Sequence, residues 1–269
     1  MKLEVHHIRA LKGQRQLTEL NVQSVDQAAA AEAAGIDMIV SGNRAELPSR
    51  RAAAPATHYC FGLIYGHPVN ACEAKRAAFD ALEAGADSIY CAMHFDVIEA
   101  MAREGIPVVG HAGLVPQKAR LTGFRAFGKT PQEAGALMQT IRRYEDAGAF
   151  AVELEVVAEP VATAIARTTP LTIISMGSGA GCDVQYLFGV DVLGETTGRI
   201  PRHSRMYDNF AIEYARLQDR RVKAFSAFAA DVAGGQFPGP SETVALSPAQ
   251  ADAMAAFLTD PRGQDTAHA

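Results

Sequence analysis

The chain has 269 residues, of which 48% are hydrophobic and 20% are charged, so it can bury the large core of a single α/β barrel. Its formal net charge of −5 comes without a long run of either sign, which excludes nucleic acid and anionic membranes as expected partners. No signal-like apolar segment begins the chain, and no stretch approaches the roughly 18 apolar residues of a membrane span, so we expect a cytoplasmic protein.

One phrase recurs along the chain: an alanine-rich helix ends in an Ala-Gly step and leads into a short β-rich run. Its clearest copies are AAAEAAGIDMIVSGN, FDALEAGADSIYCAM and RRYEDAGAFAVELEVV, in which Gly35, Gly85 and Gly148 mark the helix ends. Glycine there can adopt the left-handed conformation that terminates a helix. Because each helix leads into a strand without a hairpin, the phrase predicts parallel strands joined by crossing helices.

The pattern predicts eight strands, and therefore a (β/α)₈ TIM barrel in one domain over residues 1–269. The predicted strands are Leu17–Gln23, Asp37–Asn43, Thr57–Tyr65, Asp87–Met93, Ile106–Leu114, Phe150–Val157, Leu171–Met176 and Val184–Val190. Their apolar runs lack strict alternation, as expected for strands covered on both faces, although a doubly wound open sheet would give similar runs. Additional C-terminal helices are expected from His203 to Ala233 and from Ser247 to Leu258, followed by a frayed tail over 259–269.

Polar residues follow or lie within most of the predicted strands, and in a barrel the C-terminal strand ends converge on the active site. They are Asn43, Arg44, Tyr65, His67, Tyr90, His94, His111, Glu153, Glu155 and Ser175. The glycine-rich GSGAG run after the seventh strand could hold an anion with its backbone N–H groups, but it matches no nucleotide-binding fingerprint. The four cysteines form no CxxC pair, so we expect reduced core residues rather than a disulfide or a zinc site.

Glu155 and His111 are the strongest catalytic candidates. A carboxylate inside a strand is costly to bury, so Glu155 is either a reactive acid or base or the partner of a structural lysine or arginine. Glu153 lies two residues earlier and points to the same side. His111 lies among glycines at a strand end, where its ring can approach a ligand, although a lone histidine is often structural.

The segments GHAGLVPQ and LTGFRAFGKT resemble those of the ketopantoate hydroxymethyltransferase family, whose first segment reads GHLGLTPQ. The next stretch resembles that family's AGA…LECVP…IPVIGIGAG…DGQ…DxxG pattern, with Asp183, Gln185, Asp191 and Gly194 in step, and RIPRHSRMYDNF resembles its HIPKFAKNF segment. The resemblance implies a barrel of the phosphoenolpyruvate mutase and isocitrate lyase type that forms a homo-oligomer. It also implies hydroxymethyl transfer from methylenetetrahydrofolate to 3-methyl-2-oxobutanoate, a small 2-oxo acid held by Mg²⁺.

Under this resemblance Glu155 corresponds to the family's acid or base, and His111 to its substrate-contacting histidine. The metal ligands do not carry over. The aspartate of the family's GDS motif is Asn43 here, the ADLPF segment meets FGLIY, and the lysine and glutamate of KIEGG correspond to Tyr90 and Ala92. Because Mg²⁺ usually takes at least one carboxylate, we expect no metal site of the family type.

Without that metal, another group must stabilise the enolate of a 2-oxo acid. We predict that Arg44 binds the carboxylate of the oxo acid, because a guanidinium can hold a carboxylate with two hydrogen bonds. Asn43 and Ser175 are predicted to bind substrate beside it. The alternative is that Arg44 pairs with Glu46 or lies in solvent.

In this scheme His111 and Tyr90 hydrogen-bond the enolate while Glu155 moves the proton. Three functions remain open: a carbon–carbon bond transferase or lyase acting on a small 2-oxo acid, another carboxylate-processing reaction such as decarboxylation or hydrolysis, and a noncatalytic relative that binds a metabolite. The resemblance implies a tetrahydrofolate cosubstrate for the first function. Retention of Glu155 and His111 argues mildly against the third.

Overall fold

The computed structural model describes residues 2–259, and the chain divides into two compact units after Phe210. In the first unit eight parallel strands close into a barrel in chain order, because β8 pairs back onto β1. The strands are β1 (Leu17–Asn21), β2 (Met38–Ser41), β3 (His58–Gly62), β4 (Ser88–Tyr90), β5 (Val108–Gly113), β6 (Ala151–Glu155), β7 (Thr172–Met176) and β8 (Val184–Phe188). Each lies within a predicted strand, and the closure confirms the barrel and rules out the open sheet.

Helices connect most of the strands. They are α1 (Val5–Leu11), α2 (Val25–Ala33), α3 (Leu47–Ala53), α4 (Ala71–Glu83), α5 (Phe95–Ala102), α6 (Ala119–Thr122), α7 (Pro131–Asp146), α8 (Glu159–Thr168) and α9 (Gly189–Val192). A short loop, 177–183, takes the place of a helix between β7 and β8. The Asp183 carboxylate holds the end of this loop, since it accepts hydrogen bonds from the backbone N–H of Ile173 at 2.8 Å and from Lys12 at 2.6 Å.

Successive strand residues alternate between two apolar cores. Met38 and Val40 belong to the cluster inside the barrel, whereas Ile39 between them belongs to the cluster that packs strands against helices. By the same alternation Glu153 and Glu155 face the barrel interior, where burial of a charged group is most costly.

Helix α10 (Phe210–Ala233) begins at the last residue of the first unit, and the second unit contains the rest of it and α11 (Pro248–Thr259), which confirms that helices follow the barrel. Among the described residues, no helix is long and apolar enough to cross a membrane. The frayed tail predicted over 259–269 lies outside the described residues except for its first position.

Helix α10 begins at Phe210 rather than at the predicted His203. The preceding segment is tied to the barrel instead: Ser204 donates a hydrogen bond to the Asp191 carboxylate at 2.6 Å. The helical prediction failed there because the backbone N–H groups of Tyr207 and Asp208 donate to the carbonyl oxygen of Val192 instead of to helical partners.

Candidate active site

A cavity of about 310 Å³ opens at the C-terminal ends of the barrel strands. Every strand contributes a residue at or near its last position to the lining: Asn21, Ser41, Gly62, Tyr90, His111, Glu155, Met176 and Phe188. The fold therefore brings three predicted site residues together, namely Glu155, His111 and Tyr90. The other three, Asn43, Arg44 and Ser175, do not line the cavity.

Tyr90 and His111 form a hydrogen-bonded pair on this lining. The Tyr90 hydroxyl lies 2.6 Å from His111 Nδ1, and His111 Nε2 lies 2.9 Å from the Leu114 carbonyl oxygen. A carbonyl oxygen can only accept, so Nε2 carries a proton and, in the neutral ring, Nδ1 accepts from the Tyr90 hydroxyl. The neutral ring therefore leaves neither group a proton to donate to an enolate, which the sequence-based scheme required of both.

Tyr144 on α7 fixes the backbone of His111. Its hydroxyl donates to the His111 carbonyl oxygen at 2.8 Å and accepts from the His111 N–H at 3.2 Å. A Cβ atom on the preceding Gly110 would clash with the Tyr144 ring. This glycine makes room for the tyrosine that positions His111, and not for a ligand as the sequence analysis assumed.

Glu155 ends β6 with its side chain 9% exposed and its Oε2 3.3 Å from His111 Nε2. Its carbonyl oxygen accepts the Leu114 N–H at 2.8 Å. The backbone beside it is tightly constrained: Gly113 has φ +83°, and a Cβ atom there would clash with the Glu155 carbonyl oxygen. The next residue, Val156, has φ 51°, a conformation that is costly for a β-branched side chain. The backbone that carries Glu155 is therefore closely packed on one side and locally strained on the other.

Two more carboxyl groups lie inside the barrel. Glu153 lines the cavity with its Oε2 3.7 Å from His111 Nδ1, and Glu19 on β1 is 2% exposed with no hydrogen-bond partner for its Oε2. Burial raises the pKa of Glu19 to about 8. Burial also raises the pKa of Glu153 well above its ordinary value, and the nearby Glu19 and Glu155 raise it further. At neutral pH the protonated form of Glu19 is therefore favoured, and the same burial favours the protonated form of Glu153.

Glu19 was not predicted from the sequence, and neither were Tyr186 and Gln117 of the cavity lining. Alternation in LTELN, which places Glu19 on the same side as Leu17, was a signal that could have found the glutamate. No comparable pattern marks Gln117, whose buried Oε1 has no hydrogen-bond partner.

Comparison of the whole chain with known proteins identifies its family. Residues 51–240 match the family model described as ketopantoate hydroxymethyltransferase. The chain belongs to the ketopantoate hydroxymethyltransferase family. Similar curated proteins, each named 3-methyl-2-oxobutanoate hydroxymethyltransferase, come from Kosmotoga olearia (31% identity over 88% of this chain and 96% of that protein), Pyrococcus furiosus (32%, 86% and 88%) and Cenarchaeum symbiosum (36%, 68% and 68%). The family predicted from the motifs is confirmed.

Solved structures of other enzymes have a barrel similar to that of this ketopantoate hydroxymethyltransferase family member. One is 2,3-dimethylmalate lyase, a PEP mutase/isocitrate lyase superfamily member, with a TM-score of 0.57 and 13% identity over 96% of this chain and 99% of that chain. Another is phosphonopyruvate hydrolase in complex with oxalate and Mg²⁺, with a TM-score of 0.52 and 15% identity over 97% and 99%. At these identities the likeness shows the fold alone.

This family member does not fit the Mg²⁺ that the resemblance implies. Asn43, at the position of the family's aspartate, is exposed; its amide donates to Glu46 at 3.0 Å and its oxygen accepts the Ala45 N–H at 3.1 Å. Within residues 2–259 no group of three or more His, Cys, Asp or Glu side chains could hold a metal ion. Mg²⁺ needs hard oxygen ligands, usually including at least one carboxylate.

Arg44 and Ser175 serve the surrounding structure. Arg44 is half-exposed and faces Asp80 on α4 at 3.5 Å, so the structure does not support a role in gripping the substrate carboxylate. Arg44 begins a 3₁₀ turn after β2 that Asn43 caps. Ser175 donates to the Gly179 carbonyl oxygen at 3.0 Å and so anchors the glycine-rich loop.

Proposed function

We propose that this chain transfers a hydroxymethyl group from 5,10-methylenetetrahydrofolate to 3-methyl-2-oxobutanoate without a metal ion. The observation that carries the proposal is a buried carboxyl group, Glu155, 3.3 Å from His111 inside a cavity formed by all eight strands. Relatives that align with most of the chain are named for this activity. A cavity of about 310 Å³ suits a small oxo acid.

Glu155 is the base of the proposed reaction. Its carboxylate takes the proton from C3 of the oxo acid, the electron pair of the broken C–H bond forms a C2–C3 double bond, and the carbonyl pair moves to oxygen. One water molecule releases the one-carbon unit from the cosubstrate as formaldehyde: both C–N bonds break, the water oxygen becomes the carbonyl oxygen, and its two protons go to the nitrogens of the departing tetrahydrofolate. C3 then attacks the formaldehyde carbon, and the resulting alkoxide takes the proton that Glu155 removed, which gives the CH₂OH group and returns Glu155 to its carboxylate form.

His111 orients this base. Its Nε2–H donates to the Leu114 carbonyl oxygen at 2.9 Å, and Nε2 lies 3.3 Å from Glu155 Oε2, so the fixed ring packs directly against the carboxyl group. The Tyr90 hydroxyl fixes the other ring nitrogen at 2.6 Å. A base held this way needs little reorganisation when substrate binds.

The activity is tested with both substrates and the purified protein, and product formation is followed by mass spectrometry. The isosteric Glu155→Gln variant should lose about 10²–10⁴-fold in rate, because the amide cannot accept the proton. Circular dichroism shows whether the variant keeps the fold. Wild-type protein that forms no hydroxymethylated product contradicts the proposal.

We also infer that the protein is a cytoplasmic homo-oligomer. Its family reaction uses soluble metabolites, and helix α10 exposes a series of large apolar side chains: Leu217, Val222, Phe225, Phe228 and Val232. Contiguous exposed apolar side chains typically mark an interface, and most soluble assemblies are made of identical copies. Sedimentation equilibrium should give a multiple of the monomer mass, and a monomer at micromolar concentration contradicts the inference.

A further inference from the structure

The barrel interior beside the cavity contains an excess of acid. Glu19 projects from β1, and Glu153 and Glu155 project from β6, all nine-tenths or more buried. No lysine or arginine occurs among the described residues of the cavity lining. No lysine or arginine there can supply the positive charge that usually stabilises an enolate, and no group of three or more His, Cys, Asp or Glu side chains within residues 2–259 could hold a metal ion in its place.

Glu153 faces titratable groups from six of the eight strands: Glu19 (β1), Cys60 (β3), Tyr90 (β4), His111 (β5), Glu155 (β6) and Tyr186 (β8). The inward residues of β2 and β7 in this cluster are apolar. None of the six groups is a lysine or an arginine. Two adjacent carboxylates in a low-dielectric interior repel each other strongly. This arrangement raises the pKa of Glu153 and favours its protonated form.

We propose that Glu153 is the acid that donates a hydrogen bond to the carbonyl oxygen of the substrate as the enolate forms, in place of the family's metal ion. The inference rests on the proposed function and adds a catalytic residue to it. Glu153 lines the same cavity as Glu155, and the two side chains lie two residues apart on one face of β6. One strand thus presents a base and an acid to a single substrate.

Two other candidate donors beside Glu155, the Tyr90 hydroxyl and the His111 ring, already have hydrogen-bond partners. The Tyr90 hydroxyl is directed at His111 Nδ1, and His111 Nε2–H at the Leu114 carbonyl oxygen. A carboxylic acid that burial keeps neutral is an established type of oxyanion donor.

The step is balanced in protons and electrons. As Glu155 takes the C3 proton, negative charge develops on the carbonyl oxygen, which accepts the hydrogen bond from the Glu153 O–H. When the new C–C bond forms, the enolate electron pair returns and the carbonyl double bond is restored, leaving the proton on Glu153. No oxidant or reductant takes part.

The test is the pH dependence of proton exchange at C3 of 3-methyl-2-oxobutanoate in wild type, Glu153→Gln and Glu153→Leu. Wild-type activity should fall as alkaline pH removes the Glu153 proton. The glutamine variant should lose on the order of tenfold or less and lack this alkaline fall, because its amide N–H donates at every pH. The leucine variant should lose about 10²–10³-fold, as expected for loss of an oxyanion donor.

Two further measurements separate the possible outcomes. The first is the infrared C=O band of protonated carboxyl groups in the substrate-free protein at neutral pH, which should weaken in Glu153→Gln. The second is the alkaline fall of the exchange rate in Glu19→Gln, which should move to lower pH because Glu19 raises the pKa of Glu153. If the wild type exchanges the proton but Glu153→Gln keeps the same alkaline fall, the role of Glu153 is overturned while the proposed function stands. An infrared band that does not weaken in Glu153→Gln overturns that role in the same way. Wild-type protein without exchange at any pH overturns the proposed function itself.

Discussion

Replacing Glu19 with glutamine should make the protein progressively more stable than wild type as the pH rises. Burial raises the pKa of Glu19 from its ordinary 4.5 to about 8 in the folded barrel. Below the ordinary pKa the group is protonated in both the folded and the unfolded chain, so the raised pKa costs no stability there. As the pH rises towards 8, the unfolded chain ionises Glu19 while the folded chain keeps it protonated, and the wild type loses stability.

The size of the effect follows from the two pKa values. One pH unit in this window costs about 1.4 kcal/mol, so between about pH 5 and pH 7 the wild type loses roughly 3 kcal/mol of unfolding free energy through Glu19. Glutamine does not ionise. The difference in unfolding free energy, variant minus wild type, should therefore grow by roughly 3 kcal/mol over this range, whatever glutamine costs in packing.

Urea unfolding followed by circular dichroism at both pH values measures this difference. Glu83→Gln on the exposed end of α4 is the matched control and should show no pH-dependent difference. A Glu19→Gln difference that stays constant between the two pH values would refute the reasoning, because it would mean that Glu19 is ionised to the same extent in both states.

Four further predictions follow from single contacts. Glu155→Gln should bind 3-methyl-2-oxobutanoate with an affinity within about tenfold of wild type in isothermal titration while it loses turnover, since the amide keeps the shape but not the base. Arg44→Ala should leave that affinity unchanged, because the guanidinium pairs with Asp80 outside the cavity; a tenfold loss would contradict this placement. Gly113→Ala should lower the unfolding free energy by about 1–3 kcal/mol, because its Cβ would clash with the Glu155 carbonyl oxygen at a φ of +83°, and urea unfolding measures the loss. Val156→Asn should raise the melting temperature, because asparagine tolerates a φ of 51° better, and a lower melting temperature would show that the partly buried valine side chain matters more.

The strands and the meeting of three site residues could be predicted because their causes are local or topological. Glycine follows α2, α4, α5 and α7, and the apolar run after each of these glycines predicts a strand. Closure of parallel strands then brings their C-terminal ends together, so Tyr90, His111 and Glu155 converge although they are far apart in sequence.

The remaining features depend on contacts that the sequence does not display. Arg44 faces Asp80 on α4 and does not line the cavity, and the His111 ring is oriented by the carbonyl of Leu114. Glu19 and Glu153 come together only when β1 and β6 face each other across the closed barrel. Their shared burial, which sets their protonation, is a property of the interior and not of either segment.

Deuterium exchange at C3 of 3-methyl-2-oxobutanoate tests metal-free enolisation by Glu155 most directly. The exchange, followed by proton NMR in D₂O, should proceed with wild-type protein at the same rate in excess chelator and in added Mg²⁺, and should be lost in Glu155→Gln. Exchange that stops in chelator and returns with Mg²⁺ would contradict the account, because it would show that a metal ion and not a proton stabilises the enolate.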